Sequence, residues 1–355
     1  MTTPHHDALD LVRLTATAVL AVQAHQDAGL AVPYPPAAQL ALDRITAVCL
    51  LEGLEAPASV PALLALCRAH LSKWPITVPS DYTGPGAVLV DEATGLPTHV
   101  CAEWASGDAF SSGAGPINEL LRQLAGNCPS PGIYERCRSF LIDHPVVNQE
   151  NMRAVHSTPG GPETWKRVQP LYGPVAHAYA RDGQCVRCAS CRCLAVTLPD
   201  KTSRCESGVC PGFTAQQTEP VTALRALPAE LRHPLSASGR VERDIRNACL
   251  AAGAHVELMP DAVDHLRITW PSDDLWLVVV STSAEPALLA RRLRHWTPDH
   301  ASRVCVAVPG YVMERRPDYR QVFERHRRPG SAELIPAELV ASSDQHQADG
   351  GEPRA

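Results

Sequence analysis

The chain has 355 residues, 45% of them hydrophobic, and a formal net charge of −6. That length accommodates two or three domains with real cores, the slight acidity argues against indiscriminate binding to nucleic acid, and no apolar run approaches the ~20 residues of a membrane helix. The N-terminal MTTPHHDALDLVRL lacks a basic segment followed by an apolar one, so no secretory signal is expected and the chain reads as cytoplasmic, where thirteen cysteines argue against a disulfide framework.

In chain order, residues 7–27 have helical periodicity, with Leu9, Val12, Leu14, Ala16, Val19, Leu20 and Val22 on the expected buried face. PYPP at 33–36 breaks the chain, and 37–52 gives a second helix with Leu40, Ile45, Val48 and Leu51 turned inward. Ser59 or Val60 stands near the N-cap of a third helix that opens at Pro61. VLVDEATGLPTHVCAEW suits a short strand pair around Thr94-Gly95. A Ser- and Gly-rich loop (106–115) leads to a helix at 116–125, and YERCRSFLIDHPVV (134–147) is another helix, stopped by His144-Pro145. Residues 148–175, rich in Pro and Gly, read as an irregular boundary. Beyond the cysteine-rich stretch, PAELRHP gives a short helix, and SASGRVERDIRNACLAAG (236–253) a longer one with Ser236 or Ser238 at its start and Gly253 just past its end. The tail from Ser342 has the composition of a disordered segment.

Six of the cysteines fall between Cys185 and Cys210; the other seven are scattered among apolar neighbours and read as small core residues. Paired thiolates on two tight turns can surround zinc tetrahedrally. The first pair is Cys185 with Cys188 or Cys188 with Cys191. The second choice is favoured because a ribbon knuckle leads into a short strand and LAVTL follows at 194. Cys205 and Cys210 complete a C-x2-C-x13-C-x4-C set, with Cys185 and Cys193 as possible substitutes. Four thiolates leave no open coordination position, so this zinc would hold together a small module with little core of its own.

From His255 to Pro309 the expected order is three strands, a helix and a strand: HVELMP, DHLRITW, LWLVVVST, EPALLARRLRHW, RVCVAVP. That order suits a restriction-endonuclease-like, PD-(D/E)xK core, in which acids from neighbouring strands hold a hard cation and a lysine positions the attacking water. Asp264 is the best acid, with Glu257, Asp261 and Glu242 as assistants. Val279-Val280-Ser281 stands where acid-x-Lys is needed, and no lysine follows Lys201. Asp273 and Asp274 belong to the turn before the third strand. Ten arginines lie between Leu288 and Arg328 against Asp299, Glu314, Asp318 and Glu324; with Arg267, the members Arg291, Arg292 and Arg294 are candidate phosphate contacts.

Together, YERCRSFLIDHPVV, LYGPVAHAY (171–179) leading into the knuckles, and the VELMPDAVDHLRITWP…LWLVVVST core resemble the restriction-endonuclease-related proteins of prokaryotic PIWI (pPIWI-RE) systems, over roughly Pro33 to Pro336. The resemblance implies a component of a defence cassette against plasmids or phage, beside an Argonaute-like PIWI protein and a helicase, acting on DNA or an RNA–DNA hybrid. In members of that family the third strand reads like aspartate-x-lysine; here Val279 and Ser281 occupy those places.

The expected fold is thus α+β and α/β in several domains: a mainly helical part (1–150), a linker and four-cysteine, zinc-ribbon-like module (151–215), a restriction-endonuclease-like domain (216–340) and a tail (341–355). The expected function is a nuclease-fold defence component with a degenerate catalytic motif. The alternatives are an active Mg-dependent endodeoxyribonuclease with a rearranged site, and a non-enzymatic scaffold for the PIWI protein and helicase.

Overall fold

The computed structural model describes residues 5–30, 32–106, 116–198, 200–210, 212–259, 265–295, 301–340 and 342. Residues 107–115 of the expected Ser- and Gly-rich loop, Asp261, Asp264 and, but for Ser342, the tail lie outside them. No described helix is long and apolar enough to cross a membrane. The chain threads between two units, one of Met1–Ala109, Pro174–Arg225 and Ala284–Leu288, the other of Phe110–Gly173, Ala226–Ser283 and Leu289–Ala355.

In the first unit, Leu11, Val12, Thr15, Ala16, Val19 and Val22 recur at three- and four-residue spacing and bury one face of α1 (His5–Asp27). Leu14 and Leu20, expected on that face, are half-buried at its margin. α2 (Pro36–Glu52) packs on α1 through Ala38, Ala41, Ile45 and Cys49. Small residues let the two backbones approach, and the inward face is rotated from the expected one: Leu40 is 47% and Leu51 87% exposed. Ser59 caps α3 (Val60–Leu66), its side chain accepting from the Ala62 amide at 3.3 Å.

Thr94-Gly95 does form a turn, with Gly95 at φ 69° and a single bridge between Val90 and Pro97. No second strand follows. Thr98 Oγ1 accepts from the Cys101 amide at 3.1 Å and α4 (His99–Ser106) begins there. Val100, Cys101 and Trp104 share its buried side, a spacing that serves a helix and not a strand.

The same unit holds an antiparallel sheet of β1 (Gln184–Cys188), β2 (Leu194–Thr197), β3 (Ser203–Cys205) and β4 (Ala215–Pro220), in the order β3-β2-β1-β4. Its turns and the cysteine sulfurs form one small buried cluster against which Phe213 packs.

In the second unit, α5 (Pro116–Asn127) and α6 (Pro131–Asp143) pack with α7 (Gln149–His156) and α8 (Gly161–Val168). The last two occupy the stretch expected to be irregular. Asn148 and Asn151 make a reciprocal capping box at the start of α7, and Pro162 sits in the first turn of α8, where a missing N–H costs nothing. Residues that break helices in their interior here start them.

α9 (Ala229–Ala251) joins the two helices expected on either side of Pro234, which lies inside it. The five-stranded sheet follows: β5 (His255–Leu258), β6 (His265–Thr269), β7 (Leu275–Val280), β8 (Arg303–Val308) and β9 (Glu333–Pro336), in the order β9-β8-β7-β6-β5. β5 to β7 are an antiparallel meander and β7 to β9 run parallel. The β6–β7 turn contains Asp273 at φ 64°, with Trp270 and Asp274 closing it. Ile245 and Cys249 of α9 pack on Val256, Leu266, Ile268, Val278 and Val280. The other face carries Val279, Val306 and Val308 under Leu289 of α10 (Pro286–Arg292) and, beyond the short α11 (Gly310–Met313), Tyr319 and Phe323 of α12 (Tyr319–His326).

Candidate metal centre and nuclease-like site

The first knuckle forms because the chain reverses between Cys188 and Cys193. The Arg192 amide donates to the Cys188 carbonyl at 2.8 Å, the Cys188 amide to the Cys193 carbonyl at 2.8 Å, and Arg192 takes φ 60°. The second closes on Gly208 at φ 64°, with its amide on the Cys205 carbonyl. The Glu206 carboxylate ties the knuckles together by accepting from the Leu194 amide at 2.8 Å.

These turns bring the sulfurs of Cys188, Cys191, Cys205 and Cys210 within 4.8 Å of one another, all four residues buried. Cys188 to Cys210 is 3.6 Å and Cys191 to Cys205 3.2 Å. Four sulfurs at ~2.3 Å from a tetrahedral ion stand ~3.8 Å apart, so the set fits a metal. Without one, the thiols must share protons. Hydrogen bonding from Cys191 holds Cys188 below the ordinary thiol range, and Cys188 in turn pushes Cys191 and Cys205 above it. At Cys210 an upward push from Cys188 is outweighed by Cys191 and Cys205, leaving it at about 6. Cys185 stands outside the set: its sulfur donates to the Tyr179 carbonyl at 3.5 Å, and burial raises it to about 11. Cys193 is fully buried in the same apolar cluster but is not one of the four.

At the five-stranded sheet, two of the expected acids go to different places. Glu242, 1% exposed on α9, gives both carboxylate oxygens to the Arg138 guanidinium of α6. Glu257 alternates with the buried Val256, so it lies on the sheet face away from α9, half exposed between His255 at 3.3 Å and Arg267 at 3.8 Å. The two carboxylates therefore do not converge. Asp264 lies outside the described residues.

Period-two alternation along β7 sets what its carboxyl end offers. Val278 and Val280 face α9, while Val279 lies in the core on the opposite face. Beyond the strand, Ser281, Thr282 and Ser283 are all buried. The Ser281 hydroxyl accepts from the Ser283 amide at 3.2 Å, and Thr282 Oγ1 meets Ser238 Oγ of α9 at 3.1 Å. Neither face of this segment carries an acid or a lysine.

α6 and α9 are locked together. A Cβ at Gly239 would stand 2.8 Å from Ile142 Cγ1, and Arg243 pairs with Asp143 at 2.7 Å and Arg246 with Glu135 at 3.5 Å. Sequence reasoning missed Arg138, although it interrupts the apolar stripe of Cys137, Leu141 and Ile142, as a buried charge with a distant partner does.

The arginine-rich stretch is largely committed inside the protein. Arg292 is 6% exposed, which withdraws it from phosphate contact. Arg294 donates to the His326 carbonyl, Arg303 to Glu333, Arg316 to Asp318 and Arg320 to the Leu334 carbonyl. Arg291 is half-buried, and Arg267 is half exposed beside Glu257.

No curated protein and no solved structure matches the chain. Two family models do. Residues 11–148 match the pPIWI_RE three-gene island domain Y, and residues 239–347 match the REase associating with pPIWI_RE. The first includes α6 and the second begins in α9, so the Arg138–Glu242 pair joins the two matched segments within one unit. The chain belongs to the pPIWI-RE family, carrying both the domain Y and the REase-associated segments of its three-gene island.

Proposed function

We propose that the chain is a nuclease-fold component of a pPIWI-RE defence island, binding DNA or an RNA–DNA hybrid beside a PIWI protein and a helicase, with hydrolysis lost. Three features support the fold reading: α9 across one face of a mixed sheet, the β5–β7 meander, and the parallel crossover through α10 to β8. The observation that carries the loss of chemistry is the carboxyl end of β7. Metal-assisted phosphodiester hydrolysis needs carboxylates converging on a cation and a base or lysine at the attacking water. Here that segment offers valines, two serines and a threonine, and Glu242 is already neutralised by Arg138.

In this reading Cys188, Cys191, Cys205 and Cys210 hold a structural zinc, the ion that four thiolates in a tetrahedral set suit best. The zinc supplies folding free energy to a module whose own apolar core is slight; the knuckle amides and Glu206 orient the sulfurs. Arg267, Arg291 and Arg294 remain as candidate contacts to nucleic acid.

Fluorescence anisotropy with labelled single-stranded DNA, duplex DNA and an RNA–DNA hybrid over a salt series tests the binding half. The expected outcome is salt-sensitive binding, weakened by Arg267→Gln. No binding to any of the three at low salt refutes it.

A scaffold role for the domain Y segment has one observation of its own. Leu50 and Leu51 at the end of α2 are 69% and 87% exposed, and Leu54 follows them in the open. Pull-down of the island's PIWI protein, lost with Leu50→Ser and Leu51→Ser together, is the outcome this role expects.

A further inference from the structure

α6, α7 and α8 enclose an open groove of about 470 Å³. It is made wholly within the second unit, and the wall supplied by residues 149–173 lies outside both matched segments. Its size falls in the range of small-ligand sites. Arg136 and Ser139 line it as exposed side chains, Asn151 brings an amide whose Oδ1 already accepts from the Asn148 amide, Thr158 and the buried Thr164 donate to the Val155 and Gly160 carbonyls, and the edge of the largely buried Phe140 gives it an apolar side.

The charges in the groove are unequal once internal pairs are removed. Its two acids are both occupied: Asp143 holds Arg243 at 2.7 Å, and Glu135 holds Arg246 at 3.5 Å. Arg136 is exposed and has no carboxylate partner among the described residues.

A second observation concerns how Arg136 is placed. Gly160, the N-cap of α8, has φ 73°, and a Cβ built there would stand 3.0 Å from Arg136 Nη2, 3.1 Å from Nε and 3.2 Å from Cζ. The guanidinium therefore lies flat on the glycine backbone, in space that any side chain would fill. A long cationic side chain thus rests at the rim of the groove beside the Gly160 backbone, with its fork of donors unspent on any acid among the described residues. Planar, bidentate donation of this kind suits a phosphate oxygen pair.

We propose that this groove binds the phosphate ester of a nucleotide, with Arg136 on the phosphate, the Ser139 hydroxyl and the Asn151 amide nitrogen toward the sugar, and the edge of Phe140 on the base side. The phosphate comes from a free mononucleotide or from a nucleic-acid strand, and the site does not depend on whether the β7 end hydrolyses anything.

The test uses the full chain. Isothermal titration with AMP, dTMP and inorganic phosphate is run on wild type, Arg136→Gln, Arg136→Lys and, as a distant control, Arg225→Gln, with circular dichroism to verify folding. The same variants are run against an oligonucleotide. Expected are saturable mononucleotide binding, weaker binding of inorganic phosphate, a loss of at least about tenfold in Arg136→Gln and a partial loss in Arg136→Lys. If the oligonucleotide shows the same Arg136 dependence, the ligand is a strand; if only the mononucleotides do, it is a free nucleotide. Absence of mononucleotide binding at millimolar concentration, or equal affinity in folded Arg136→Gln, overturns the site. Oligonucleotide binding that persists in Arg136→Gln without mononucleotide binding overturns the site alone and leaves the nuclease-fold reading standing.

Discussion

Replacing Arg138 by Ala should be among the most damaging single changes in the protein. The Glu242 carboxylate is 1% exposed and both its oxygens are taken by Arg138. Removing the guanidinium leaves a buried, unpaired charge, at a cost of about 3–5 kcal/mol. For a unit of this size, that corresponds to a fall in Tm of roughly 6–20 °C. Glu242→Gln should cost a comparable amount, because it strands the arginine instead. The double variant Arg138→Met, Glu242→Met removes both charges and should recover most of the loss, since a packed apolar pair offsets the missing bridge. Thermal unfolding followed by circular dichroism reads all four proteins. A loss below about 1 kcal/mol in Arg138→Ala, or a double variant as unstable as the two losses added, would refute the assignment of Glu242 as a structural counter-ion and restore it as a candidate metal ligand.

Three further outcomes follow from the geometry. Purified protein should carry one zinc per chain by elemental analysis, absent in Cys205→Ser and retained in Cys185→Ser; zinc kept by the first or lost by the second contradicts the ligand set. In urea melts, Gly239→Ala should cost about 1–3 kcal/mol, because its new methyl meets Ile142 at 2.8 Å, and Ile142→Val should relieve part of that. Burial raises Cys67 and Cys305 from 9.0 to about 12. Their neutral thiols therefore contribute full stability below the unfolded thiol range, and that contribution is lost as pH rises from about 9 to 12. The urea midpoint should fall over that window, and the double alanine variant, though less stable at pH 7, should show a flatter alkaline limb; an unchanged slope would contradict it.

How legible these features were depended on whether their cause is local. Helix α1, the Ser59 cap, the stop at His144-Pro145 and the strand order from β5 to β8 follow from periodicity and turn chemistry within a few residues. The knuckle at Cys188 and Cys191 was legible for the same reason, because two cysteines three apart followed by a strand leave few other geometries. α7 and α8 escaped because their signals, Asn148 with Asn151 and Gly160-Gly161-Pro162, are composed of residues that punctuate loops elsewhere. The rotated face of α2 escaped because its burial is set by how closely small residues let α1 approach, and that is a property of the partner helix. Arg138 and Glu242 are 104 positions apart, and nothing near either residue announces the other. Gly160 stands against the Arg136 guanidinium of a different helix, and that approach is visible only in three dimensions.

We propose that this chain recognises nucleic acid without cutting it. A cleavage assay with Mg²⁺ and Mn²⁺ on single-stranded DNA, duplex DNA and an R-loop tests it most directly, with Asp264→Ala alongside. The account predicts intact substrates at protein concentrations where salt-sensitive binding is saturated, and no difference between the two proteins. Metal-dependent cleavage that Asp264→Ala abolishes would contradict it and would mean that the site has been rebuilt without a lysine.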